Sequence, residues 1–162
     1  MRIIETQAFQ FEELDLPTQE KVINQNRDIN TMFDWWDSTY YQFEQCQIKV
    51  EAFDIGRRNR CRVSFMKDEV DSALEILNAF GENTEISACA RVFLEDRDKL
   101  IEKSDDDFLE QEMQLKSTLK FDIEHAVLHY LREDYEWFIS DEAVEETIVM
   151  NGYEFTKYGE RI

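Results

Sequence analysis

His125 and His129, the only histidines of the chain, stand four residues apart. On a helix that spacing puts both imidazoles on one face, where they can share a metal ion with Glu124 or Glu133 adding a carboxylate. The pattern is not the HExxH of metalloproteases, because Ala126 stands where the general-base Glu would be. No third dedicated ligand follows, so helix-packed or solvated imidazoles are the plainer reading and no metal is expected. Cys46, Cys61 and Cys89 are odd in number and form no CxxC pair, which points to reduced, buried thiols rather than a disulfide framework. A Cys–His couple would have no motif behind it. The chain also lacks GxSxG, a Walker loop, GxGxxG and the kinase set. No enzyme and no cofactor are expected. Asp105-Asp106-Asp107 superficially suggests a calcium loop, but residues 105–116 contain no Gly. Capping of a helix that starts after Ser104 accounts for the run.

Charge is the stronger signal. Thirty-seven Asp and Glu against eighteen Lys and Arg give a formal charge of -19, concentrated after residue 61. Such a field repels nucleic acid and anionic membranes and attracts proteins with basic grooves. One concentration of opposite sign exists, Arg57, Arg58, Arg60 and Arg62. Arginine forks suit phosphate oxygens; within so acidic a chain, pairing with its own carboxylates is the simpler expectation, and direct nucleic-acid binding is not expected. Between Arg132 and Lys157 no basic residue interrupts Glu133, Asp134, Glu136, Asp141, Glu142, Glu145, Glu146 and Glu154. Carboxylates held on helices can lie several ångströms apart along a ridge, and phosphates of one duplex strand advance by about 3.4 Å per base pair. The ridge can therefore fill a nucleic-acid groove by charge matching, or it is a solvated face that keeps the protein in solution.

These groups need a scaffold, and the composition supplies one. Apolar residues make up 43%, aromatics 13%, with four Gly and one Pro, so the charge does not signal disorder. One domain over residues 1–162 is expected. The first residues lack the apolar core of a signal peptide and no run approaches a membrane span, giving an expectation of a cytoplasmic protein with no membrane partner. Arg2 to Phe9 reads as a strand. Pro17 and Thr18 open a helix to about Asn30. A second helix begins near Asp34, with Trp36, Tyr40 and Phe43 on one face; Trp36 suits the core, while Trp35 could be core or a partner contact. Residues 47–66 alternate as a hairpin around Gly56-Arg57-Arg58-Asn59, with Ile48, Val50, Ala52 and Asp54 on one side. Helical stripes follow: Val70, Ala73, Leu74, Leu77 and Phe80, stopped by Gly81; Ala88, Val92, Phe93 and Leu100; and Leu115, Leu119, Ile123, Ala126, Val127, Tyr130 and Leu131 on a helix from about Asp105 to Tyr135. Ser140 caps a short helix with Val144 and Ile148 inward, and Tyr153 to Tyr158 forms a last strand. The fold class is α+β: a small antiparallel sheet of three to four strands, including the 47–66 hairpin, packed with five to six helices and a helical C-terminal half. Long amphipathic helices with mixed faces admit a homodimer.

Three segments carry a resemblance: Phe9-Gln10-Phe11-Glu12-Glu13-Leu14, Asp34-Trp35-Trp36-Asp37-Ser38-Thr39-Tyr40, and Ser140-Asp141-Glu142-Ala143 with Asn151-Gly152-Tyr153-Glu154-Phe155-Thr156 and Gly159-Glu160-Arg161-Ile162. With Phe53-Asp54-Ile55 they resemble small acidic phage and prophage proteins often labelled antitoxin of a toxin–antitoxin stability system. The resemblance implies a viral or mobile-element setting and brings no catalytic residues. Such settings hold small acidic proteins that disable host nucleases, CRISPR effectors and restriction enzymes among them. Two functions are therefore expected. The first is an anti-CRISPR-like inhibitor that covers the basic groove of a host defence protein or ribonucleoprotein with Glu133, Asp134, Glu136, Asp141, Glu142, Glu145 and Glu146, and with Trp35, Arg57 and Arg58 as secondary contacts. The second is an antitoxin-like protein that neutralises one toxin, with Trp35 more important than the ridge.

Overall fold

The computed structural model describes residues 7–103 and 106–162. In chain order the elements are β1 (Phe9–Gln10), a 3-10 turn (Phe11–Glu13), α1 (Leu16–Gln25), α2 (Asp37–Gln45), β2 (Ile48–Asp54), β3 (Arg60–Phe65), α3 (Glu69–Phe80), α4 (Glu85–Lys103), α5 (Phe108–Phe138), α6 (Asp141–Met150) and β4 (Glu154–Phe155). This is an α+β fold with a helical C-terminal half. The strands do not share one sheet: β1 pairs antiparallel with β4, and β2 pairs antiparallel with β3. The chain divides into two compact units, one from residues up to Trp35 together with Glu133–Ile162, the other from Trp36–Arg132. The composition predicts a single domain, and no linker announces the division. The chain crosses it between the adjacent Trp35 and Trp36 and again within α5.

The first unit is built from both ends of the sequence. Phe9 pairs with Phe155 and Gln10 with Glu154. The predicted first strand lies for residues 2–6 outside the described part. Phe11, Leu14, Val22, Ile23, Val144, Ile148 and Phe155 form its core. Asp15 caps α1 by accepting from the Thr18 N–H at 2.9 Å, with Pro17 in the first turn. The helix stops at Gln25, short of the predicted Asn30, because the Asn26 side chain takes the Val22 carbonyl at 2.7 Å. β4 is shorter than its alternation suggests. Gly159, at φ 78°, folds the chain back so that Arg161 bridges to Phe155, and a Cβ at this glycine would stand 2.8 Å from Val22 Cγ2.

Asn30 ties this unit together. Its Nδ2 donates to the carbonyls of Phe138 and Ala143, both at 3.1 Å, and its Oδ1 accepts from Thr147 Oγ1 at 2.7 Å. The Phe138 carbonyl belongs to the last turn of α5, where no intrahelical donor remains. Asn30→Ala would leave the part-buried Phe138 carbonyl unsatisfied, at about 1–3 kcal/mol, while the Ala143 carbonyl keeps its bond from Thr147 Oγ1 at 2.9 Å. Urea denaturation is expected to show that loss, whereas Asn30→Asp should recover only the Thr147 bond.

In the second unit the hairpin aligns Ile48 with Phe65 and Val50 with Val63, then shifts register between Val50 and Ala52. Beyond this bulge the faces exchange. Ile48 and Val50 are buried as their alternation predicts, but Ala52 is exposed and Phe53 turns inward, its ring 5.6 Å from Trp36 and 6.0 Å from Tyr40. Trp36 is thus packed, as expected of it, though only half-buried. The α3 and α4 stripes are also rotated from expectation. Leu74 and Val92 are exposed, while Ser72, Ala73 and Ile76 on α3 and Ile86, Ser87, Ala90 and Phe93 on α4 are buried. Small residues let two backbones approach closely, so Ser72 and Ser87 take positions that a search for large apolar residues assigns elsewhere. On α5, Leu119, Ile123, Val127 and Leu131 are buried as predicted. The proposed Ser104-Asp105 cap lies outside the described residues, and α5 begins at Phe108.

Candidate functional site

α6 starts where its sequence says it should. Ser140 Oγ accepts from the Ala143 N–H at 3.2 Å and donates to the Trp137 carbonyl at 2.6 Å. Asp141 and Glu142 then sit in the first turn, favoured by the helix dipole. With Ala143, Val144 and Ile148 buried, Asp141, Glu142, Glu145 and Glu146 are left on the outer face. They form two i,i+4 columns, Asp141 with Glu145 and Glu142 with Glu146, at about 6 Å between neighbours. Like charges at that spacing destabilise a helix by a few tenths of a kcal/mol per pair. Asp141 is the one member with a cation, pairing with Arg27, which also donates to the Ile139 carbonyl. Among the described residues, no ion pair involves Glu136, Glu142, Glu145 or Glu146.

The last turn of α5 adds the exposed Glu133 and Glu136, while Asp134 is half-buried. It also adds Trp137, which is 51% exposed four residues after Glu133. Phe33, in the same unit, is 77% exposed. Neither aromatic stands out in the sequence, where Trp137 falls beyond the predicted helix end at Tyr135. Trp35, the residue singled out instead, lies against Tyr135 with ring centroids 5.4 Å apart. That contact occupies it within its own unit.

Among the described residues no ion pair within 4 Å includes Arg57, Arg58, Arg60 or Arg62. Two of them nonetheless have acids beside them: Arg60 lies opposite Asp54 in the hairpin, and Arg62 adds to the Ser64 hydrogen bond and Lys49 in holding the Glu51 carboxyl low. The nearby carboxylates are already engaged. Asp54 Oδ1 accepts from the Gly56 N–H at 2.9 Å, and Glu51 accepts from Ser64 Oγ at 2.8 Å with Lys49 beside it at 3.5 Å.

His125 and His129 both line a cavity of about 390 Å³ between α4, α5 and the hairpin tip. His125 Nδ1 lies 3.1 Å from the Phe121 carbonyl, and its ring is tilted against that of Phe121 at 4.2 Å. Glu124, a candidate third ligand, instead accepts from the Val63 N–H at 3.2 Å. Among the described residues no three His, Cys, Asp or Glu side chains gather to hold a metal. Cys89 lines the same cavity; burial, with Asp122 and Glu85 nearby, pushes its thiol up. Burial carries Cys46 to about 11 and, with Glu124 nearby, Cys61 to about 12. Thiols so shifted are poor nucleophiles at neutral pH. At pH 8 in the native chain, Cys46 and Cys61 are expected to react with an aromatic disulfide reagent at least about a hundredfold more slowly than in denaturant, as their thiolate fractions require. Absorbance at the released thiolate band reports it.

No family model, curated protein or solved structure matches the chain. The likeness to acidic phage proteins therefore rests on the short segments that suggested it. Among the described residues no helix is long and apolar enough to cross a membrane.

Proposed function

We propose that the chain is a stoichiometric inhibitor, carried by a phage or mobile element, that covers the basic nucleic-acid groove of a host defence protein. The observation that supports this reading is the outer face of α6. Glu142, Glu145 and Glu146 are exposed, are in no described ion pair, and stand on a helix held by a cap and by Asn30. A helix that accepts like charges at i,i+4 without cations between them forgoes stability that a lysine at one position would restore. An external basic surface supplies the missing cations, and the charges steer that partner toward the face. Trp137 gives the ridge an apolar anchor of the type that dominates interface energies.

The test is retention of host-lysate proteins on the immobilised chain at about 50 mM and about 200 mM salt. Basic nucleic-acid-binding proteins should be held at the lower salt, released at the higher, and displaced by duplex DNA. The second reading, an antitoxin-like partner of one toxin, draws on the exposed Phe33 and Trp137. Retention that is insensitive to salt and to DNA but lost in Phe33→Ala or Trp137→Ala would favour it over groove occupation.

A further inference from the structure

We propose that the cavity between α4, α5 and the hairpin tip binds a guanidinium group, a planar organic cation. Its volume of about 390 Å³ is within the range of small-ligand sites. The acids of its lining come one from each helix, Glu85 from α4 and Asp122 from α5. The two helices run antiparallel: Arg97 donates to Glu112 at 2.8 Å, and nearer the cavity the Cys89 thiol bonds to the Asp122 carboxylate. Glu85 stands one turn before Cys89, about 6 Å along the axis. The carboxylates are thus staggered on two facing helices, and a group seated between them meets both.

The charge of the lining selects a cation. Arg132 is its one Lys or Arg, and that guanidinium is already bonded to the Asn59 side chain. Among the described residues no ion pair includes Glu85 or Asp122. Burial first, then these two carboxylates, push the Cys89 thiol up, as expected where the field favours positive charge. The hairpin-tip arginines lie outside the lining; Arg60 is opposite Asp54, and Arg62 is beside Glu51. At physiological salt their repulsion is screened over about 8 Å. A bare metal ion is not the cation indicated, since among the described residues no three His, Cys, Asp or Glu side chains gather to hold one.

The rest of the lining suits a flat cation better than a compact one. Phe121 is 59% exposed and its ring meets that of His125 at 4.2 Å, so aromatic surface stands beside Asp122. A guanidinium stacks on such a face while its edge donates paired hydrogen bonds to carboxylates; an ammonium is a strongly hydrated point charge. His125 Nδ1 lies 3.1 Å from the Phe121 carbonyl, which can only accept, so in the neutral ring Nε2 is left as a further acceptor. Ile86, Ala126 and Leu128 supply apolar lining for the alkyl chain that carries the group. The lining belongs wholly to the second unit, so the site does not depend on the α6 face of the first.

Magnetic resonance titration of the full, isotope-labelled chain with butylguanidine, butylamine, butylurea and a blocked glycyl-arginyl-glycine peptide tests the assignment. Butylguanidine is expected to bind in the millimolar range or tighter, as suits so few heavy atoms, and to shift the amides of Cys89 and Asp122 first. The neutral butylurea lacks charge-assisted hydrogen bonds and should bind at least about tenfold more weakly, with butylamine between the two. Glu85→Gln and Asp122→Asn should each weaken butylguanidine about tenfold, and Phe121→Ala about two- to fivefold, with native circular dichroism. Glu20→Gln makes the same charge change at an exposed position of α1 and should leave the affinity unaltered. With butylguanidine bound, a peptide that binds as tightly supports an arginine side chain as the source, and one that does not supports a free compound. No shift at millimolar butylguanidine overturns the proposal. So does equal binding of butylurea, or a native affinity in Glu85→Gln and Asp122→Asn. Affinity lost equally in Glu20→Gln also overturns it, because the attraction would then come from the general field.

Discussion

Reversal of Glu142, Glu145 and Glu146 to lysine is expected to abolish capture of basic host proteins while leaving the fold intact. Each reversal shifts the formal charge by two, so the three together move it from -19 to -13. Bulk charge therefore stays strongly acidic, and any loss of binding reports the α6 face rather than the general field. Close charge pairs across an interface contribute roughly 2–5 kcal/mol when one partner is removed, so affinity should fall more than about a hundredfold. Stability should hardly move. In Glu145→Lys the new ammonium would face Asp141 one turn before it, an attractive i,i+4 pair, while Glu142→Lys loses the favourable dipole interaction of the first turn. These terms are each a few tenths of a kcal/mol and oppose one another. Thermal denaturation checks the fold and lysate capture checks the function; capture that survives the three reversals in a folded chain would end the groove-occupation reading.

Phe43→Ala is expected to produce the largest loss of stability, about 3–5 kcal/mol. Phe43 is fully buried, with its ring 5.1 Å from Phe80 and 6.0 Å from Tyr130, and those two rings are themselves 5.4 Å apart. The three rings join α2, α3 and α5, so truncating the central one opens a cavity among three helices. Aromatic pairs add about 0.5–1.5 kcal/mol to what burial alone provides. Domains are typically stable by only about 5–15 kcal/mol. The urea midpoint followed by tryptophan fluorescence should fall sharply with little change in slope. Phe43→Leu keeps most of the volume and should cost less than half as much.

How legible such features are in the sequence depends on whether the deciding interaction is local. The start of α6 is local: Ser140 and the Ala143 N–H are three residues apart, and both the cap and the inward Val144 and Ile148 follow from spacing alone. The hairpin is readable up to Val50 for the same reason. It ceases to be so at the bulge, because one extra residue reverses every side chain after it, and Phe53 rather than Ala52 turns inward to become half-buried. The faces of α3 and α4 are hidden where serines take buried positions, since Ser72 and Ser87 look like surface residues until a neighbouring backbone is known to be close. Of the candidate site, the acidic residues of α6 can be located from the charge run. The contacts that organise it cannot: Asn30 lies more than a hundred residues from Phe138, Ala143 and Thr147, and nothing in its own neighbourhood signals the partnership. Trp35 lies against Tyr135 while Trp137 is exposed, and nothing in periodicity distinguishes the two.

The pairing of Phe9 with Phe155 bears on synthesis as well as on structure. Trp36–Arg132 is a contiguous stretch, so every residue of the second unit has been made before any later segment is needed. The first unit has to wait for Glu154–Phe155 to leave the ribosome, since β1 has no strand to pair with until then. Domains form during translation in the order in which their parts become available, at about 5–20 residues per second. The carboxylate face of α6 therefore belongs to the unit that is completed later of the two.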